Sequence, residues 1–283
     1  MQVRELEAAL SSAWIEPRYQ PIVRLADSVP VAVEALARLN HPSLGLLGAG
    51  RFVPQIELAG LAGELTEQIA ATTFTDIATV DPGPAGLAVG INVPLDLLLL
   101  PSTLARLEAR REAAGLEPGR VVVELTESQP VEEIDRLGRV LEQLRRAGYG
   151  AVIDDVVPAM AYLPKLLDLP FTGLKLDGGL VRMTGQSATA HRFAAAIVAA
   201  ARRHGLTVTA EGIEDGADWS RMLALGADQA QGFLVAEAME AAHLPAWRLL
   251  WAAAPHAEPA APLTTGTGTG AFTTTAGTAA FTN

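Results

Sequence analysis

Cysteine is absent from the 283 residues. That excludes disulfides, thiolate metal sites and a cysteine nucleophile, and leaves the redox compartment open. Aromatic residues are scarce at 5%, while 49% of the chain is hydrophobic and rich in Ala, Leu and Val. This balance favours helices and buried parallel strands over an all-β sandwich. Positive charge is short as well: 21 Lys and Arg face 32 Asp and Glu, a net charge of −11. Duplex nucleic acid is therefore a poor partner, because binding it requires clustered cations that displace counterions from phosphates. No basic segment followed by an apolar stretch opens the chain, and no run of about 20 uninterrupted apolar residues appears. The chain is read as soluble and cytoplasmic, with no membrane partner.

The length suits one large α/β domain, since barrels commonly reach about 250 residues. Apolar runs predict strands over 18–23, 31–39, 86–92, 121–126, 150–154, 173–176, 207–210 and 229–234. Helical periodicity predicts helices over 2–13, 63–79, 104–114, 131–147, 163–168, 188–204, 217–225 and 243–253. Eight strands alternating with helices are what a (β/α)8 TIM-type barrel requires, and in that fold the chemistry sits at the C-terminal ends of the strands. The barrel domain is assigned to 1–253. From 254 to 283 the composition turns to Ala/Pro and then Thr/Gly/Ala without charge. Such a tail cannot bury enough to fold alone and is expected to be disordered. A docking peptide built on Gly270-Ala-Phe-Thr and Ala279-Ala-Phe-Thr is the alternative.

Acidic and amide residues recur where these strands end: Glu34, Asn92, Glu124, Asp154-Asp155 and Glu211, with Lys175 and Gln231 placed likewise. One such carboxylate is usually a helix cap or an ion pair. Several converging are costly, because two carboxylates about 4 Å apart repel by roughly 4 kcal/mol at an effective dielectric near 20. Divalent cations relieve this, and Asn92 would add a neutral oxygen of the kind Mg²⁺ or Mn²⁺ prefers. On the strand 31–39, Glu34, Leu36 and Arg38 share one face; an ion pair on a half-exposed strand is the competing reading. Lys175 faces opposite to Leu174 and Leu176. It is either buried among the acids and held charged, or a surface lysine. Glu127 has an equally good helix-dipole explanation, before a first turn holding Pro130, Glu132 and Glu133.

Taken together these segments resemble the EAL family of cyclic di-GMP phosphodiesterases. The match runs through Tyr19-Gln-Pro-Ile22, Glu34-Ala-Leu36 with Arg38, Phe52-Val-Pro54, Asn92 and Glu124-Leu-Thr-Glu-Ser128. It continues through Asp154-Asp155, Leu174-Lys-Leu-Asp177, Ala210-Glu-Gly-Ile-Glu214 and Gln231-Gly-Phe233. The resemblance implies a modified barrel whose first strand runs antiparallel to the rest. It implies two cations, Mg²⁺ or Mn²⁺: Glu34, Asn92, Glu124 and Asp154 would bind one, and Asp155 would serve the second. Glu211 and Lys175 would hold or activate the water. Gln20, Leu36, Arg38 and Gln231 would contact cyclic di-GMP, and Glu127 would tether the loop after the aspartates. A homodimer and a regulatory partner in trans complete the expectation.

That loop departs from the family pattern. Phe-Gly-Thr-Gly and a serine-rich stretch are usual, whereas this chain reads Val156-Val-Pro-Ala-Met-Ala-Tyr162, with no glycine and no serine or threonine hydroxyl. Val157 and Pro158 disfavour the family loop conformation, which is expected to displace Asp155 and Glu127 and slow turnover. Ala238 stands where proline is usual. Three functions follow: a metal-dependent phosphodiesterase giving linear pGpG, a receptor that binds cyclic di-GMP without cleaving it, and a protein-interaction scaffold. Retention of Glu34, Asn92 and Lys175 favours the enzyme.

Overall fold

The computed structural model describes residues 3–12, 14–83, 85–126 and 133–254. The chain begins with a helix (Val3–Ser11) and then an antiparallel hairpin, β1 (Ile15–Arg24) and β2 (Pro30–His41). Only residues 25–29 join them, and Ser28 adopts a left-handed φ of 59° in that turn. A link this short forces antiparallel pairing, because a parallel crossover needs a dozen or more residues. The expected alternation of strand and helix therefore fails at the first step. A short β3 (Gly45–Gly48), not expected from sequence, pairs with the far end of β2.

From β2 onward the strands are parallel: β4 (Ala88–Pro94), β5 (Val121–Thr126), β6 (Gly150–Val156), β7 (Gly173–Leu176), β8 (Thr207–Ala210) and β9 (Gln229–Gln231). β1 pairs antiparallel with both β9 and β2, which closes an eight-stranded barrel and leaves β3 outside it. The fold is thus the TIM-type barrel expected, with its first strand reversed. β9 is shorter than expected. At Gly232 a Cβ would fall 2.2 Å from the Ile213 carbonyl oxygen, so the chain can turn there only without a side chain.

Helices coat the barrel because their apolar residues recur at helical spacing. In Ile134–Ala147, Leu137, Leu141 and Leu144 are buried; in Ala188–Arg203, Ala190, Ala194, Val198 and Ala201 are buried, and Ser187 caps the start by accepting from Ala190 N. Each fully buried leucine contributes about 1.5–3 kcal/mol. Three short helices escaped the periodicity: Val53–Leu58, Leu95–Leu98 and Gly178–Thr184. The last opens on two glycines, poor helix formers, and begins because Asp177 accepts from Leu180 N. Among the described residues no helix is long and apolar enough to cross a membrane. The tail from 255 onward and Glu127 lie outside the described residues.

Candidate active site: a lysine inside a ring of carboxylates

Strand register brings the acids together. Gln20 on β1 lies opposite Glu34 on β2, Glu34 opposite Gly90 on β4, and Asn92 opposite Glu124 on β5. Gly90 is where this geometry is tightest: a Cβ there would fall 2.0 Å from Glu124 Oε1. The missing side chain makes the space in which Glu124 turns inward. Lys175, third residue of β7, reaches the same space with 2% of its surface exposed.

Its ammonium stands among four carboxylates, 2.8 Å from Glu34, 3.1 Å from Glu124, 3.3 Å from Asp154 and 2.6 Å from Glu211. The reading of Lys175 as a surface lysine is thereby set aside. Glu34 also accepts from Asn92 Nδ2 at 2.8 Å and Gln231 Nε2 at 2.7 Å. Gln231 in turn donates to Gln20 Oε1 at 3.1 Å, and Gln20 to the Ala236 carbonyl.

Four carboxylates against one ammonium leave three negative charges in excess when all are ionised. Burial pushes Glu34 upward, but the Lys175 charge and hydrogen bonds from Lys175, Gln231 and Asn92 outweigh it and hold Glu34 below its ordinary value. The remaining acids lack that support. Burial drives Glu124 well above its ordinary value, with Glu34 and Asp154 adding to it against the pull of Lys175. Burial raises Asp154 to about 6 and Glu211 to about 8, each partly offset by Lys175. Lys175 moves the other way: burial alone would lower it, yet the surrounding carboxylates hold it well above its ordinary value.

The donor set fits hard divalent cations. Glu34, Glu124 and Asp154 each offer an oxygen within 4.8 Å of the others, and so do Asp154, Asp155 and Glu211. Asp154 joins both groups, and its buried Oδ1 faces the Lys175 ammonium at 3.3 Å with no hydrogen bond from any other described residue. Asn92 joins the first group through its amide nitrogen, which donates to Glu34. Such a surplus of oxygen donors and unbalanced charge suits added cations better than a purely structural ion-pair network.

Asp155 lies within reach of this cluster at a left-handed φ of 51°, where the register of β6 against β7 shifts between Ile153 and Val156. Burial and the nearby Asp177 raise its pKa. After it Val156 continues β6 and is fully buried, and Met160 N bonds the Val157 carbonyl in the turn that follows.

A pocket of about 420 Å³ opens over these groups, lined by Gln20, Glu34, Leu36, Asp154, Asp155, Glu211 and Gln231. Arg38 shares the β2 face but lies outside this lining; its guanidinium donates to the Ala37 carbonyl at 3.0 Å. Arg182, Glu214 and Phe233 also line the pocket, and no role was read for them in the sequence. For Glu214 and Phe233 the available signal was position, each within three residues of Glu211 or Gln231.

A model of the EAL domain matches residues 3–238. The bifunctional diguanylate cyclase/cyclic di-GMP phosphodiesterase MucR of Pseudomonas aeruginosa is 30% identical over 243 residues, covering 86% of this chain and 36% of MucR. The cyclic di-GMP phosphodiesterase NbdA of the same organism is 33% identical over 211 residues, covering 74% of this chain and 27% of NbdA. The chain thus spans well under half the length of these curated relatives. The PaMucR phosphodiesterase in its c-di-GMP complex superposes with a TM-score of 0.81 at 30% identity, over 86% of this chain and all of that one.

Proposed function

This chain belongs to the EAL domain family, and from that premise we propose that it is a metal-dependent phosphodiesterase that opens cyclic di-GMP to linear pGpG. The observation that carries the reading is the buried ring of Glu34, Glu124, Asp154 and Glu211 around Lys175, of which Glu34, Asp154 and Glu211 line a pocket at the C-terminal mouth of the barrel. A receptor has no need of so much unbalanced buried charge, and this favours the enzyme.

Glu34, Asn92, Glu124 and Asp154 would hold one Mg²⁺ or Mn²⁺, and Asp154 with Asp155 and Glu211 a second. Such cations, when bound, polarise phosphoryl oxygens and make water a better nucleophile at neutral pH. Gln20, Leu36 and Gln231 seat the nucleotide, and Arg38 waits at the strand face for a phosphate. Glu211, held in place by Lys175 and ionised once the cations' charge joins that of Lys175, would take the proton of the attacking water as its oxygen bonds phosphorus; one ester P–O bond of the ring breaks and the departing ribose oxygen takes a proton from solvent. A homodimer and a regulatory partner in trans belong to the same proposal and rest on the family resemblance.

The test is product analysis of purified protein with cyclic di-GMP and Mn²⁺ or Mg²⁺, beside Glu34→Ala. Appearance of pGpG with wild type and its loss in the variant are expected. Binding without product would make the chain a receptor, and turnover by Glu34→Ala equal to wild type would sink the metal-site assignment.

A further inference from the structure

The barrel lumen is open at the end away from the proposed site. In a TIM-type barrel this interior is ordinarily filled by layers of bulky branched side chains. Here the strands are better buried on the side facing the helices than on the side facing the lumen. Val121, Val123 and Leu125 of β5 and Ala151 and Ile153 of β6 are buried, whereas Val122 and Val152 between them are only half-buried. Ala32 and Ala88, partners at the starts of β2 and β4, are half-buried as well, next to buried Val33 and Val89. Solvent therefore reaches the inside of the sheet from below.

A cavity of about 180 Å³ accounts for this. Its rim carries Thr172 and Thr207, both exposed, and its ceiling is Glu124 and Lys175, each 2% exposed. Small residues keep it open. Ala32, Ala88 and Gly90 line it, and at Gly173 a Cβ would fall 2.8 Å from the Thr207 carbonyl oxygen, so no side chain can fill that position. Thr209 and Gln229 add polar walls, the hydroxyl of the first donating to Oε1 of the second at 3.0 Å. Apolar cavities stay dry, whereas one that offers hydroxyl, amide, ammonium and carboxyl groups holds water, and this volume has room for several molecules.

We propose that this cavity is a rear water channel, through which solvent reaches the ring around Lys175 while the mouth of the barrel is occupied. A ligand seated in the pocket over Gln20, Leu36 and Asp155 leaves the opposite end of the strands uncovered. The role of supplying water rests on the proposed hydrolysis, which consumes it; the channel itself does not.

The absence of cysteine makes single-cysteine variants a direct test. Val122→Cys and Val152→Cys face the lumen, Val123→Cys and Ile153→Cys face the helices, and melting temperatures confirm that each full-length variant folds. A small methanethiosulfonate is expected to label the lumen pair about tenfold faster or more, because the helix-facing pair reacts only on local opening. That advantage is expected to persist with Ca²⁺ and cyclic di-GMP bound at the mouth. Equal labelling of all four would show a packed lumen and overturn the channel. Labelling of the lumen pair that stops when the mouth is occupied would place the entry there and overturn it as well. Ala88→Leu, which narrows the channel, is expected to protect Val122→Cys and to lower turnover a few-fold with Mn²⁺ affinity unchanged. Protection without loss of turnover would overturn the supply of water. Failure of wild type to hydrolyse cyclic di-GMP would overturn the proposed function and the supply with it, while labelling of the unliganded variants still decides the channel.

Discussion

Among the described residues Arg120 and Lys175 are both buried cations, and their surroundings are opposite. Arg120, 4% exposed, donates to the carbonyls of Leu87, Asp81 and Gly83 at 2.9, 2.7 and 2.9 Å and meets one carboxylate, Asp81, at 3.3 Å. It shares that carboxylate with Arg248, 3.0 Å from Asp81 Oδ1, so no negative charge is left in excess, and its other donors go to neutral carbonyls at the end of the barrel where β4 and β5 begin. Lys175 meets four carboxylates, with acids in excess. The first arrangement is what a fold builds to fasten a loop. The second is unfavourable in isolation and makes sense where added cations complete it, so the contrast separates structure from chemistry within one chain.

The sharpest way to break that contrast is to remove each cation in turn. Lys175→Met is expected to lower turnover by roughly 10²- to 10³-fold, as for loss of one preorganised electrostatic group. Arg120→Met is expected to leave turnover per folded molecule intact and to destabilise the protein by about 1–3 kcal/mol for each carbonyl left buried without its donor. Steady-state kinetics beside denaturant titration reads both. If both variants lost stability and kept turnover, the distinction would fail.

Next in size is Gly90→Ala. Its methyl would fall on Glu124, and a shift of about 1 Å at a ligand costs about 10²-fold in rate. Retained turnover would show that Glu124 need not stand where Gly90 allows it.

A smaller effect separates the regions by pH. In the metal-free protein Asp154 titrates near 6 and Glu211 near 8, above their ordinary values of 3.8 and 4.5. The folded state therefore holds these protons more tightly than the unfolded chain. Their contribution to stability is complete below about pH 4 and is lost as pH rises through about 6 and then about 8. The melting temperature without metal should fall over that window, and Mg²⁺ should raise it more at pH 8.5 than at pH 6, because protons compete for the same oxygens. A Mg²⁺ shift independent of pH would count against these acids as ligands. Arg120→Met should keep this Mg²⁺ response, whereas Lys175→Met should alter it.

The smallest expected change concerns the loop after Asp155. Replacing Val157, Pro158 and Ala159 by Gly, Thr and Gly should raise turnover a few-fold at most, since Asp155 already stands with Asp154 and Glu211. A large gain, read by steady-state kinetics, would mean that the loop limits the rate after all.

The barrel and most of the site were legible in the sequence because a charge in an apolar strand is a strong signal: Glu124 and Lys175 interrupt valine and leucine runs, and both proved buried. The reversal of β1 was also within reach. Residues 25–29 are too few for a parallel crossover, yet the reversal was read from family likeness and not from that spacing. The helix Gly178–Thr184 was hidden because its two leading glycines mask its start, and Arg182 was hidden with it. Gly90 carried no sequence signal; its role depends on register with Glu34 and proximity to Glu124, which only three dimensions supply.

The most direct measurement of the excess-charge site is a Mn²⁺ titration of the metal-free protein, followed by calorimetry or electron paramagnetic resonance. Two ions per chain, with binding weakened in Glu34→Ala and in Asp155→Ala, is the expected result. No bound Mn²⁺, or the same stoichiometry and affinity in both variants as in wild type, would contradict the assignment of these carboxylates to metal.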